Sequence, residues 1–210
     1  MKTSALLLSF ALAALPLAAR AASGAMAQLK ESNERIDRIL KKKTSPGSAA
    51  EQEAKAELTK LVNGFIDYRE LAQRSLAQHW DGLTPPKREE FVGTLRDLIE
   101  KNYVKRLRTN LEYAVSYRNE AVNGVEAMVS TVVKVHTAGK STETEIDYAM
   151  KKNGDRWMVY DVITDEVSMV KNYRSQFNKI ISNEGYDALL RKMRKMIAQI
   201  DETPPEAKKP

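Results

Sequence analysis

Four stretches of alternating residues, separated by glycine-containing turns, constrain the fold of this chain more than any other feature of its sequence. A period of two places successive side chains on opposite faces of a β-strand. Two of the turns contain Asn-Gly, which favours tight hairpins and therefore antiparallel neighbours. We predict a four-stranded antiparallel meander with strands at 113–121, 125–136, 142–150 and 156–164, joined by turns at Asn123-Gly124, Gly139-Lys140 and Asn153-Gly154.

Helical spacing precedes and follows this meander. Apolar residues recur at three- and four-residue intervals in segments 26–43, 48–63, 68–79 and 84–107, and again at 167–182 and 186–197. In the second strand Val129 and Val133 share one side, so helices must cover that side while the other is mostly solvated. The predicted fold class is α+β, with N-terminal helices, the four-stranded antiparallel meander and C-terminal helices.

Residues 1–21 are predicted to be a cleaved signal peptide. Lys2 precedes an apolar run from Ala5 to Leu15, and Ala19-Arg20-Ala21 provides a small-residue cleavage site. The apolar run is shorter than the ~20 residues that span a bilayer. We therefore expect export, a single domain at 22–200 and a disordered tail at 201–210.

Charge and composition exclude several classes of function. The 210 residues include 34 Lys and Arg, 28 Asp and Glu and no Cys, for a formal charge of +6. Removal of the signal peptide with Lys2 and Arg20 lowers that charge to +4, which is too weak and dispersed to indicate a nucleic-acid-binding protein. The absence of Cys excludes disulfides, thiolate metal sites and a lipid-modified cysteine. We expect a monomer that moves freely after export.

Groups able to carry catalysis are scarce in this sequence. His79 and His136 are far apart, and no metalloprotease, nucleophile-elbow or phosphate-loop motif is present. Asp161 is the one acid that a small hydrolase on a similar α+β fold would have available. We therefore predict that the protein is not an enzyme and that it has no catalytic residues, no metal and no cofactor.

Large aromatic side chains recur on the helices and strands that should face each other. Two interpretations remain open, because such residues can fill a solid core or line a cavity for a hydrophobic ligand. The residues concerned are Phe91, Tyr103, Tyr148, Trp157, Tyr160, Tyr173 and Phe177.

The segment 157–177 contains W-x-V-Y-D-V and, after a short turn, V-S-x-x-x-N-Y-R-x-Q-F. This pattern resembles the C-terminal signature of the MlaC family, also called the toluene-tolerance or Tgt2 family. Upstream, residues 65–72, His79-Trp80 and Leu83-Thr84-Pro85 resemble the N-terminal half of that family, so the resemblance spans about 58–196. Asp165-Glu166 departs from the family pattern, which usually has Gly before Val-Ser.

The resemblance implies a soluble periplasmic phospholipid carrier. Proteins of that family shuttle phospholipid between an outer-membrane lipoprotein complex and the MCE-domain protein of an inner-membrane ABC transporter. The implied fold is NTF2-like in outline, with helices and an antiparallel sheet packed around an apolar lipid cavity. Phospholipid is the implied cargo, and contact with membrane surfaces is transient.

The candidate site follows from placing this cavity between the helices and the sheet. Lys171 and Arg174 lie near the expected mouth and are possible headgroup contacts, although we expect Arg174 to pair with Asp161. Alternation does not decide which face of 157–162 is turned inward, because both faces carry apolar residues. The predicted cavity residues are Leu95, Ile99, Tyr103, Trp157, Val159, Tyr160, Val162, Tyr173, Phe177 and Ile181.

Two further alternatives stand beside the phospholipid carrier. One is a hopanoid-associated lipid-binding paralogue within the same family. The other is a non-lipid interaction module with a filled core, in which Phe177→Ala would cost ~3–5 kcal/mol.

Overall fold

A computed structural model of the protein describes residues 24–45, 47–104, 112–137 and 140–202. The predicted signal peptide with its cleavage site, Gly139 of the second predicted turn and the tail beyond Glu202 lie outside the described residues. The first half contains α1 (Ala25–Leu40), α2 (Ala49–Asn63), α3 (Tyr68–Leu76) with a 3-10 turn (Ala77–His79), and α4 (Pro85–Ile99) with a π-helical turn (Glu100–Val104).

The second half contains the sheet and two further helices. Its elements are β1 (Glu112–Asn123), β2 (Glu126–Thr137), β3 (Lys140–Asn153), β4 (Arg156–Thr164), β5 (Val167–Ser168), α5 (Met169–Glu184) and α6 (Tyr186–Glu202). The strands pair in sequence order and each pair is antiparallel. The α+β class and the meander are therefore confirmed, with a fifth strand added. Helix α6 extends through Glu202, two residues into the segment predicted as a tail.

The fifth strand corrects the predicted start of the following helix. Val167 was expected to begin that helix, but Val167 and Ser168 pair with Thr164 and Ile163 of β4. Asp165 lies in the two-residue turn between the strands, and the Ser168 hydroxyl accepts a hydrogen bond from the Lys171 amide as the N-cap of α5. A short strand therefore comes between the turn and the helix.

Both Asn-Gly hairpins form, with each turn displaced by one residue from its predicted place. Asn123 pairs with Glu126, so the two-residue loop is Gly124-Val125, and Val125 is not the first residue of a strand as predicted. The β3–β4 loop is likewise Gly154-Asp155. Gly124 and Gly154 each have a φ of +59°. A positive φ at only the first loop residue is typical of type II′ turns, which match the right-handed twist of the strands.

The pairing register divides the sheet into two faces. The apolar and aromatic side chains of the inner face include Val115, Tyr117, Ala127, Val129, Val133, Ile146, Tyr148, Met150, Val159 and Val162, and Thr131, Thr142 and Thr144 lie on the same face. Helix α1 packs on one end of this face through Ala25 and Leu29, both fully buried. The outer face is mostly polar over β1–β3, as predicted, and α3 and α5 contact it at β4. The helices therefore cover parts of both faces rather than one.

Helices α3 to α6 form a core of their own. Phe177 lies at its centre, with its ring centroid 5.6 Å from that of Phe91 in an edge-to-face arrangement and 5.2 Å from that of Tyr173 in a stacked one. A smaller apolar cluster joins α1 to α2 through Ile39 and Leu58. Among the described residues, no helix has the length and apolar character that crossing a bilayer requires.

Candidate functional site

The inner face of the sheet continues beyond the part that α1 buries. Near the loops at 124–125 and 154–155, Ala127, Val129 and Met150 are at most 5% exposed because α1 covers them. Further along the same face, Val115, Val133 and Ile146 are only half-buried. We call this row, together with Val135 and Val162, the inner strip. An apolar, incompletely covered surface on a rigid sheet is suited to a hydrophobic ligand.

A β-bulge decides which residues of β4 face the inner strip. Val159 pairs with Met150, whereas Asp161 pairs with the adjacent Ala149, so Tyr160 is the extra residue in β4. The bulge places Val159 and Val162 on the same face although they are three positions apart. Alternation alone could not have shown this, because an inserted residue shifts the period.

Polar side chains border the inner strip on the side of α1. The Asn33 amide donates a hydrogen bond of 2.9 Å to the Tyr117 hydroxyl, and Asn33 also bonds to Tyr148. Burial raises the pKa of Tyr148 to about 12, and burial likewise raises the pKa of Tyr113 and Tyr117. These hydroxyls are therefore neutral at ordinary pH, and they give the apolar strip a hydrogen-bonding border.

The predicted cavity residues fall into two separate clusters. Trp157 and Val159 are buried on the inner face with α1, and Val162 packs against them. Five others belong to the core of α3 to α6. Their contact with a ligand stays a prediction. The helical set is Leu95, Ile99, Tyr173, Phe177 and Ile181, and the side chain of Tyr103 lies outside what the structure describes.

Tyr160 contacts different elements from Trp157 and Val159. The Arg74 guanidinium lies 4.0 Å from the centroid of the Tyr160 ring, and Arg74 also pairs with Glu70 and Glu126. Cation–π stacking of this kind fixes the ring at the α3 side of the sheet. The structure therefore separates Tyr160 from the inner-face residues of the predicted cavity.

The two predicted headgroup contacts lie on the solvent-facing side of α5. Lys171 and Arg174 are both exposed. The expected Arg174–Asp161 pair is wrong, because Arg174 Nε donates to the Arg74 carbonyl at 3.0 Å. Asp161 instead accepts hydrogen bonds from the Ser168 hydroxyl at 2.5 Å and the Val170 amide at 2.9 Å. The Ser168 hydroxyl and the Val170 amide therefore satisfy the buried carboxylate in place of the arginine.

Candidate catalytic groups are held in structural contacts. Asp161 is 7% exposed and joins β4 to the start of α5 through the bonds just described. A nitrogen of the His79 ring lies 2.9 Å from Asn178 Oδ1, and His136 is exposed on β2. Within the ranges that the structure describes, no three His, Asp or Glu side chains are grouped to hold a metal ion.

The inner strip contains residues absent from the predicted cavity set. The prediction that Val133 shares a face with Val129 is confirmed, and the register places Val135 on that face as well. Val115 and Ile146 share this face because of the register across β1, β2 and β3. They could have been identified by extending the period-two pattern of β2 to β1 and β3, because residues paired across neighbouring strands lie on the same face.

Comparison with known proteins identifies relatives of this fold and sequence. The family model described as MlaC protein matches residues 30–195. The intermembrane phospholipid transport system binding protein MlaC of Haemophilus influenzae is 22% identical over 137 residues, which are 64% of this chain and 64% of that protein. The chain thus matches slightly less than two thirds of that relative's length.

A solved structure has a similar fold. It is a phospholipid-binding protein from Ralstonia solanacearum in complex with a phospholipid, with a TM-score of 0.68 and 19% identity. The similarity covers 85% of this chain and 99% of that one. At this identity the comparison establishes the fold alone.

Proposed function

The chain belongs to the MlaC family, and on that premise we propose that it carries phospholipid and that the acyl chains of the bound lipid contact the inner strip. The observation that carries this proposal is the row of half-buried apolar side chains on the inner face, beyond the end covered by α1. The similarity in fold to a protein solved with bound phospholipid supports it.

The energetics of lipid transfer explain why such a surface is useful. Exposing an acyl chain to water costs about 0.8 kcal/mol per CH₂, so a ~16-carbon chain costs roughly 13 kcal/mol. Spontaneous transfer of a two-chain lipid through water is therefore very slow. A carrier has to cover the chains and can leave the headgroup solvated, which requires no catalytic group.

The headgroup would lie at a polar border of the site. The neutral hydroxyls of Tyr117 and Tyr148, with the Asn33 amide, are suited to hydrogen-bond ester or phosphate oxygens next to the inner strip. Lys171 and Arg174, the headgroup contacts predicted from the sequence, are exposed on α5. Because α5 packs at β4 on the outer face, they would meet a phosphate from the side of the sheet opposite the inner strip.

The cellular role follows from the family and from the proposed signal peptide. The protein would work in the periplasm as a monomer, moving phospholipid between an outer-membrane lipoprotein complex and the MCE-domain protein of an inner-membrane ABC transporter. The relative in Haemophilus influenzae carries a name that describes intermembrane phospholipid transport, which supports this role.

Mass spectrometry of lipid extracted from the purified protein tests the proposal. The expected result is phospholipid at a fixed molar ratio. A hopanoid in its place would favour the hopanoid-associated alternative, and protein that neither contains nor accepts a phospholipid or a hopanoid would contradict both lipid-binding hypotheses.

Two neighbouring valines provide a matched pair of variants. Val133 and Val132 are both half-buried on β2 but face opposite sides of the sheet. Val133→Asp places a charge against the acyl chains and should lower bound phospholipid several-fold, because a carboxylate is costly to bury in an apolar site. Val132→Asp should retain the lipid. Equal lipid content in the two folded variants would show that the inner strip is not the site.

A further inference from the structure

The turn between β1 and β2 carries an exposed apolar group that the proposed lipid site does not use. Val122 and Val125 are each 56% exposed, and Met128 is 38% exposed. Among the described residues, three of the five large apolar side chains that stand exposed belong to this one hairpin. We call residues 121–128 the apolar tip.

The three side chains point in different directions. Val122 pairs with Ala127 and so lies on the inner face, whereas Met128 pairs with Ala121 and lies on the outer face. Val125 is the second residue of the loop and stands at the apex. A flat protein surface pressed against one face would leave the other side chains in water. A medium that surrounds the tip covers all of them, as the apolar layer of a bilayer does.

The charges next to the tip are already satisfied within the molecule. Residues 121–125, Ala-Val-Asn-Gly-Val, contain no charge. Glu120 before them accepts a hydrogen bond of 3.0 Å from the Met26 amide, and Glu126 after them pairs with Arg74. Entry of the tip into an apolar layer therefore avoids the high cost of desolvating free carboxylates.

The neighbouring β3–β4 hairpin shows that folding does not require an apolar tip. It has the same Asn-Gly pair and the same φ of +59° at glycine, but Asp155 occupies the place of Val125. Lys152 and Arg156 flank that loop. The turn geometry accepts either residue, so the hairpin does not require a valine at 125. An exposed valine at this place therefore indicates contact with an apolar partner.

We propose that the apolar tip inserts into the surface of a phospholipid bilayer and docks the protein on a membrane that holds one of the complexes with which it exchanges lipid. The purpose of the docking rests on the proposed carrier function, whereas the insertion itself can be measured whatever the cargo is. A tip with three apolar side chains should bind weakly and reversibly, as a carrier that must leave the membrane requires.

The absence of native cysteine makes a direct test available. Val125→Cys is labelled with a nitrobenzoxadiazole dye, and Asp155→Cys on the neighbouring loop is the matched control. With vesicles of phosphatidylethanolamine and phosphatidylglycerol, the fluorescence emission of the label at 125 should shift to shorter wavelength, and nitroxide-labelled acyl chains should quench it. The label at 155 should not. Equal behaviour of the two labels, or no shift at 125, would overturn the proposal.

A second variant separates docking from cargo binding. Val125→Asp copies the residue that the neighbouring hairpin accepts, so the fold should be retained. Sedimentation with the same vesicles should show association reduced on the order of ten-fold, because one exposed valine is replaced by a charge. The co-purified phospholipid should be unchanged. Unaltered vesicle association would overturn the proposal, whereas the absence of phospholipid from the unsubstituted protein would contradict the carrier function alone.

Discussion

Asp165 and Glu166 occupy a backbone conformation that ordinary residues rarely adopt. Their φ values are +46° and +67°, so both residues of the β4–β5 turn are left-handed. A left-handed conformation costs a non-glycine residue roughly 1–2 kcal/mol. Asp165 offsets part of this cost, since its amide bonds to the Glu145 carbonyl and its carboxylate accepts from the Glu145 amide.

Glu166→Gly should stabilise the protein. Glycine adopts a positive φ without a steric cost, so the free energy of unfolding should rise by about 1 kcal/mol, measured by urea denaturation. Glu166→Ala is the control, because alanine keeps the strain while it also removes the carboxylate. If alanine stabilised as much as glycine, the gain would come from the lost charge and not from the backbone.

At the scale of elements, the strand-to-helix junction is held by one buried carboxylate. The Asp161 carboxylate in β4 accepts hydrogen bonds from the Ser168 hydroxyl and the Val170 amide. The Ser168 oxygen in turn accepts a hydrogen bond from the Lys171 amide. This chain of bonds satisfies amides at the start of α5 that have no partner within the helix. The W-x-V-Y-D-V and V-S motifs therefore meet in one hydrogen-bonded junction.

Asp161→Asn should weaken that junction while it preserves the side-chain volume. An amide nitrogen cannot accept a hydrogen bond, so one of the two donors to residue 161 loses its partner in a buried site. The expected cost in unfolding free energy is ~1–3 kcal/mol, measured by urea denaturation. Asp155→Asn on the exposed β3–β4 loop is the matched control and should change stability by less than ~0.5 kcal/mol. Equal effects of the two variants would contradict a structural role for Asp161.

The hairpins and the β-bulge differ in whether they could be predicted from the sequence. The hairpins were predictable because Asn-Gly and alternation are local signals. The bulge at Tyr160 was not predictable, since it depends on which residue of β3 lies opposite. It sets the orientation of Val159 and Val162, so this part of the candidate site could only come from the pairing of two strands.

For the whole molecule, several elements bury tyrosines whose ionisation opposes folding. Burial raises the pKa of Tyr148 and Tyr186 to about 12, above the ~10 of an unfolded chain. Tyr148 lies on the sheet, and the Tyr186 hydroxyl of α6 donates to the Lys87 carbonyl of α4 at 2.8 Å. In the folded protein both hydroxyls therefore keep their protons to higher pH than in the unfolded chain.

This difference predicts a loss of stability in alkali. A group with a raised folded pKa contributes fully below pH ~10, and its contribution falls as the pH rises toward 12. The free energy of unfolding, measured by denaturation from pH 9 to 12, should decline over that window. Tyr148→Phe and Tyr186→Phe should each make this decline shallower, because each removes about one proton from the number released on unfolding. Unchanged slopes in both variants would contradict the assignment.

The sequence by itself determined the element types, the antiparallel order of the strands and the family, because periodicity, turn chemistry and a 21-residue signature are encoded locally. Only the tertiary structure decided that Leu95 and Phe177 pack in a helical core while Trp157 and Val159 pack on α1. It also decided that Asp161 binds Ser168 and not Arg174, and that Val122, Val125 and Met128 share one exposed tip. Those outcomes depend on register, bulges and helix docking, in which residues distant in sequence compete for the same partner.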